Sequence, residues 1–196
     1  MQNENVIIIV SGLPRSGTSM MMKALEAGGL EALIDNIRKA DEDNPKGYYE
    51  FEPVKKTKED PSWLNQAGGK VVKMVYRLLY DLPVEGCTYR VVFMERDLQE
   101  VLASQKKMLA RSGRDQKGIS DEQMAQLFTA ELDKCRDWLA EQSSFSVLYV
   151  SYQDMLRDPA AQARRINEFF GGTLNTEALA ASVDPKLYRN RLTDSK

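Results

Sequence analysis

Residues 6–25, VIIIVSGLPRSGTSMMMKAL, constrain the fold more than any other stretch of the chain. A continuous apolar run leads into a loop of glycine, proline, serine and threonine, and then into an apolar-striped helical pattern. An apolar run without alternation is the pattern of a strand buried on both faces. A strand, loop and helix in this order also form an anion cradle, because successive backbone N–H groups and the helix N-terminus point at one place. Gly12 and Gly17, with four residues between them, have the spacing of a nucleotide-binding phosphate loop. The next position departs from the ATP-splitting version of that loop. Thr18 and Ser19 stand where a lysine would reach the terminal phosphates, and the only cation inside the loop is Arg15. The loop is expected to hold a phosphate group, with the usual apparatus for splitting ATP altered.

Three more apolar runs read as strands: Val71–Val75, Val91–Met94 and Val147–Val150, with Glu31–Ile34 as a candidate short one. Helical patterns lie between them. Leu98, Val101, Leu102, Gln105, Met108 and Leu109 recur at helical spacing after Asp97. Met124, Leu127, Phe128, Leu132, Cys135, Trp138 and Leu139 stripe a longer helix for which Asp121 is the candidate N-cap. Ile166, Phe169 and Phe170 stripe a helix that starts at Pro159 and stops at Gly171-Gly172. Strands alternating with helices imply an α/β fold, a three-layer αβα sandwich of the P-loop type around a mostly parallel sheet. The 196 residues fit a single domain, 1–196, with no internal repeat. Ligands of such a sheet bind outside the carboxyl ends of its strands, where the phosphate loop lies.

Composition removes several classes of chemistry. The chain has no histidine, which excludes the commonest general base and every Ser-His or Cys-His nucleophile pair. Proton transfer must then use Glu, Asp, Lys, Tyr or water. Cys87 and Cys135 are too few and too far apart for a disulfide framework or a thiolate metal site, and read as free thiols in a reducing compartment. With 27 basic and 29 acidic side chains, a general nucleic-acid coat is not expected. No apolar run approaches the ~20 residues of a membrane span. The first strand begins so close to Met1 that no signal peptide is expected. Together these lead to the expectation of a cytoplasmic protein with no membrane insertion. Trp63, in the loop-like stretch PSWLNQAGG, is read as packing rather than as a substrate wall.

A second anion-binding candidate is MERDLQEVLAS, residues 94–104. Arg96 follows a buried strand and opens a helix, at the same sheet edge as the phosphate loop, and Ser104 follows eight residues later. An arginine at a helix start is ordinarily a surface ion pair, but beside the loop it adds a second cation to one cleft wall. Arg189 and Arg191 form a third basic cluster, while Arg38 and Lys39 read as solvent-facing. The stretch from Lys106 to Lys117 carries five cations against Asp115. It reads either as a mobile connection between helices that closes over the cleft or as a solvated helix end.

At this point the chain resembles the sulfotransferases that use 3′-phosphoadenosine 5′-phosphosulfate (PAPS). GLPRSGTS is similar to their 5′-phosphosulfate loop, which implies donor binding by Pro14, Arg15, Ser16, Gly17, Thr18 and Ser19. VVFMERDLQEVLAS resembles their 3′-phosphate motif, which implies that role for Arg96 and Ser104. VLYVSYQDMLRDPAAQARRINEFFG resembles their later strand and helix, and places Tyr152 by the adenine. NPKGYYE, residues 44–50, looks like a stretch of the bacterial members, and KVVKMVYRLLYDLP resembles the strand with a lysine near the transferring group, here Lys73. The resemblance runs in order from residue 6 to about 172.

Two departures matter. Small-molecule members carry a catalytic histidine that is absent here. Other branches use glutamate, so Glu50 is the first candidate base, with Glu52 and Asp43 behind it. The C-terminal Arg-Lys-Gly element that grips the 3′-phosphate is also missing, and Arg189 or Arg191 is the candidate substitute. The resemblance implies in-line, metal-independent sulfuryl transfer from PAPS to a hydroxyl or amine of a small-molecule or glycan acceptor, leaving 3′,5′-adenosine bisphosphate. Arg15, Lys73 and Glu50 would be the catalytic groups. Two other readings stay open: a P-loop kinase using Mg-ATP, with Asp97 as the metal-holding acid, and a non-catalytic module that binds PAPS or the bisphosphate.

Overall fold

The alternation hidden in the first apolar run becomes visible in the computed structural model, which describes residues 6–35, 37, 47–111, 118 and 120–184. Ile7 and Ile9 pack into one hydrophobic cluster, and Ile8 and Val10 into a second on the other face of the sheet. Successive side chains of a strand point to opposite faces, so an unbroken apolar strand requires cover on both.

Four strands form the sheet: β1 (Val6–Gly12), β2 (Val71–Lys73), β3 (Thr88–Glu95) and β4 (Phe145–Ser151). Their order is β2-β1-β3-β4, and every pairing is parallel. The helices are α1 (Thr18–Ala27), α2 (Leu98–Arg111), α3 (Asp121–Glu141), α4 (Tyr152–Arg157), α5 (Pro159–Phe169) and α6 (Thr176–Ala181). Leu25 of α1, Ile166 of α5 and Leu179 of α6 join the second cluster. Val101 of α2, with Cys135 and Leu139 of α3, joins the first. The result is the expected α/β sandwich with a parallel sheet between helical layers.

Several local expectations are corrected. The second strand ends at Lys73, not Val75: Met74 N–H still donates to the Val10 carbonyl, but Val75 is exposed and a 3-10 turn, Tyr76–Asp81, begins at once. Residues 31–34 make only an isolated parallel bridge, Ala32 to Val71. Ser120, not Asp121, caps α3. The Ser120 hydroxyl accepts from Gln123 N–H while the Gln123 side chain accepts from Ser120 N–H, a reciprocal capping box that satisfies two helix-end donors. Of the two readings of residues 106–117, the helix end agrees with Lys106 to Arg111, which continue α2, and Lys106 is tied to Asp121 at 2.7 Å. Trp63 is buried as expected, its indole N–H donating to Thr57 Oγ1.

The strand order positions the site. The chain passes from β1 to β2 on one side and then crosses to β3 on the other. The connections leaving β1 and β3 therefore diverge at their carboxyl ends and open a crevice there, the usual ligand position in open parallel sheets. Gly12 and Met94 are paired at this edge. Among the described residues, no helix is long and apolar enough to cross a membrane.

Candidate functional site

Residues 13–17 curl over the end of β1 because their backbone takes conformations that few sequences accept. Arg15 and Gly17 have φ of 74° and 102°, and Ser16 N–H closes a turn onto the Leu13 carbonyl. For arginine the left-handed region costs about 1–2 kcal/mol, so other contacts must hold it there. Residues of alternating hand turn their N–H groups into one concavity, an anion nest. The nest leads into α1, whose N-cap Gly17 offers no side chain to the first-turn N–H groups.

Two glycines are required by close approach. A Cβ on Gly12 would lie 2.6 Å from the Met94 carbonyl oxygen, and one on Gly17 would lie 2.5 Å from the Tyr152 ring. Gly17→Ala combines that clash with an unfavourable φ. We expect a loss of about 2–3 kcal/mol, read as a fall in melting temperature of about 4–12 °C in a thermal scan.

Arg96 leaves β3 directly beside the loop. Its Nε donates to Glu100 Oε2 at 2.9 Å, its Nη1 donates to the Arg15 carbonyl at 3.1 Å, and its guanidinium lies 4.2 Å from the Tyr152 ring centroid. The Arg96–Glu100 pair is buried, with side chains 7 % and 3 % exposed. Gln153 Nε2 reaches the same Glu100 oxygen at 3.4 Å. Burial pushes the Tyr152 phenol above its ordinary value, against the pull of Arg96, so the ring stays neutral. Ser104, further along α2, accepts from Arg15 Nε at 2.9 Å. The residues of the two anion motifs are thus in direct contact.

At the other side of the loop, Lys73 closes β2. Its ammonium donates to the Tyr48 carbonyl and lies 3.4 Å from Ser19 Oγ, which itself donates to that carbonyl at 3.2 Å. Glu50 lies two residues after Tyr48. Its side chain is 19 % exposed and sits 3.7 Å from Lys55 Nζ, whereas Glu52 is more open and paired with the same lysine. Pro14 is exposed and Thr18 half-buried on the rim. Asp43, Arg189, Arg191, Arg38, Lys39, Arg114, Asp115 and Lys117 lie outside the described residues.

The residues present suit an anionic nucleotide. Ser16 is 1 % exposed, yet its hydroxyl has no hydrogen-bond partner among the described residues, and an oxygen of a bound anion would satisfy it. Beneath the loop a cleft of about 140 Å³ is lined by Leu13, Ser16, Arg96 and Leu132, with the Arg136–Glu95 ion pair at its edge. Among the described residues, no group of three or more His, Cys, Asp or Glu side chains is arranged to hold a metal. Asp97, the acid a kinase reading needs, uses its carboxylate to accept the N–H groups of Gln99 and Glu100 at the start of α2.

A sequence model of the sulfotransferase family matches residues 88–176, the stretch that contains Arg96, Ser104 and Tyr152. That stretch is less than half of the chain, and it is what the chain shares with the sulfotransferase family in sequence. Two solved structures share the fold. The sulfotransferase domain from the Synechococcus PCC 7002 olefin synthase is 16% identical, with a TM-score of 0.56 over 100% of this chain and 91% of that one. The sulfotransferase domain from the curacin biosynthetic pathway is 15% identical, with a TM-score of 0.54 over 96% and 88%. No curated protein matches the chain significantly in sequence.

Sequence reasoning missed Glu100, Gln105, Gln153 and Tyr48 as members of the site. Glu100 was legible as the i+4 partner of Arg96. Tyr48 acts through its backbone carbonyl, for which no side-chain signal exists.

Proposed function

We propose that this protein transfers a sulfuryl group from PAPS to a hydroxyl or amine of a small-molecule or glycan acceptor, as one domain and without a metal. The observation that carries the reading is the joining of two anion motifs: Arg96 donates to the Arg15 carbonyl, while Arg15 donates to Ser104. A ligand with phosphates at both ends of one adenosine matches that arrangement better than a triphosphate does. The similarity of residues 88–176 to the sulfotransferase family supports the reaction class.

Bound PAPS supplies the sulfuryl group and a phosphate oxygen as leaving group. The nest of loop N–H groups, with Ser16, Gly17, Thr18 and Ser19, holds the 5′ end, and Arg15 and Lys73 offset charge growing on the leaving oxygen. Arg96 and Ser104 hold the 3′-phosphate, with Tyr152 beside the adenine. Glu50 accepts the proton from the attacking acceptor atom.

Glu50→Gln keeps the size of the side chain and removes the base. It is expected to lower transfer by about 10²–10⁴-fold while bisphosphate affinity changes less than about twofold. Bisphosphate release from PAPS across a panel of phenols, alcohols, amines and sugars measures this. A full-rate Glu50→Gln enzyme moves the base elsewhere. No release with any acceptor, despite intact binding, favours the non-catalytic module.

A further inference from the structure

Arg15 holds its left-handed conformation only if something fixes the loop carbonyls outward, and the segment from the end of β3 into α2 does so at two successive residues. Arg96 donates to the Arg15 carbonyl at 3.1 Å, and Gln105 Nε2 donates to the Pro14 carbonyl at 3.4 Å. Gln105 is 9 % exposed, buried on the inner face of α2 next to Ser104. When a peptide carbonyl is fixed on one side of a turn, the N–H of the same planar peptide unit points to the other. Pinning the Pro14 carbonyl therefore aims the Arg15 N–H into the concavity, where an anion sits. The next N–H, that of Ser16, is already engaged by the Leu13 carbonyl. Arg96 also stacks on Tyr152 and pairs with Glu100, which ties it to the 3′ side of the site. The hydrogen bond of Gln105, by contrast, goes to the 5′ loop.

We infer that Gln105 is a positioning residue that sets the phosphate loop for the 5′ end of the donor, an inference that rests on the proposed PAPS function. It touches no ligand atom. It acts through the Pro14 carbonyl, and its loss loosens the nest rather than removing a ligand.

Gln105→Met keeps length and bulk without the donor, and Gln105→Glu turns an acceptor toward the Pro14 carbonyl. The readout is the ratio of affinities for 3′,5′-adenosine bisphosphate and adenosine 3′-monophosphate, which differ only in the 5′-phosphate. Titration calorimetry on the full chain is expected to show this ratio falling about 3- to 10-fold in Gln105→Met, the effect of one hydrogen bond. A larger fall is expected in Gln105→Glu, with adenosine 3′-monophosphate affinity little changed in both. Equal weakening of both nucleotides would mark Gln105 as merely structural, and an unchanged ratio would remove it from the site; either overturns the inference and leaves the PAPS reading standing. A wild-type protein that binds neither nucleotide overturns both. Should Gln105→Met fail to fold, the fall of the ratio is read from Gln105→Glu alone.

Discussion

Arg96→Ala is expected to lose about 3–5 kcal/mol of stability and, separately, to weaken 3′,5′-adenosine bisphosphate binding by about 10- to 150-fold. The first effect comes from Glu100. That carboxylate is 3 % exposed and pairs with Arg96, so removing the arginine takes the paired cation away from a buried negative charge. The second effect comes from the lost cation of the proposed 3′-phosphate site. The two are separated by Arg96→Met combined with Glu100→Leu, because a buried ion pair replaced by apolar side chains of similar size is often neutral or stabilising. Chemical denaturation should show the double variant close to wild type, while calorimetry still shows weak nucleotide binding. Recovery of binding along with stability would remove Arg96 as a ligand of the nucleotide.

Lys73→Met is expected to lower the rate of sulfuryl transfer by about 10²–10³-fold, the range for removing one preorganised donor from developing charge. Binding of the bisphosphate should change little, since that product lacks the sulfuryl group whose transfer Lys73 is proposed to assist. The ammonium is already held at the sheet edge by the Tyr48 carbonyl and lies beside Ser19, so it needs no large reorganisation to act there. Single-turnover transfer measured beside calorimetry distinguishes the roles. Parallel loss of rate and bisphosphate affinity would mean that Lys73 shapes the loop rather than stabilising the transition state.

Much of the fold was legible because buried parallel strands announce themselves as unbroken apolar runs, and β1, β3 and β4 extend the runs read from the sequence by only a few residues. What failed was local. Apolar character continues through Met74 and Val75 and points to a longer β2, but the strand ends at Lys73. The chain there enters a turn whose residues Tyr76 and Leu79 are buried without strand geometry. The 3-10 turns Glu52–Lys56 and Ser62–Gln66 are too short for any periodicity to appear. The α4 helix is six residues long and is closed by the Asp158-Pro159 start of α5, so it has no stripe of its own. At α3, Ser120 and Asp121 are both good caps, and the deciding signal was Gln123 at the third helical position.

The candidate site was legible where a side chain is of a type suited to meeting an anion, and not where one part of the protein orients another. Arg15, Arg96, Ser104, Lys73 and Tyr152 stand out by residue type and by position near strand ends. The network that links them does not. Glu100 neutralises Arg96 from inside, Gln105 fixes a loop carbonyl, and Tyr48 contributes its backbone carbonyl. The Glu100 contact is local, at i+4, but that of Gln105 depends on the crossing of α2 beneath the phosphate loop, a tertiary relation between residues more than 80 positions apart.

The account is tested most directly by titrating the wild-type chain with 3′,5′-adenosine bisphosphate and, in parallel, with Mg-ATP. The joined pair of anion motifs and the Thr18 that replaces a loop lysine predict tight binding of the bisphosphate and weak binding of Mg-ATP. A preference for Mg-ATP would contradict the PAPS reading and put the kinase in its place.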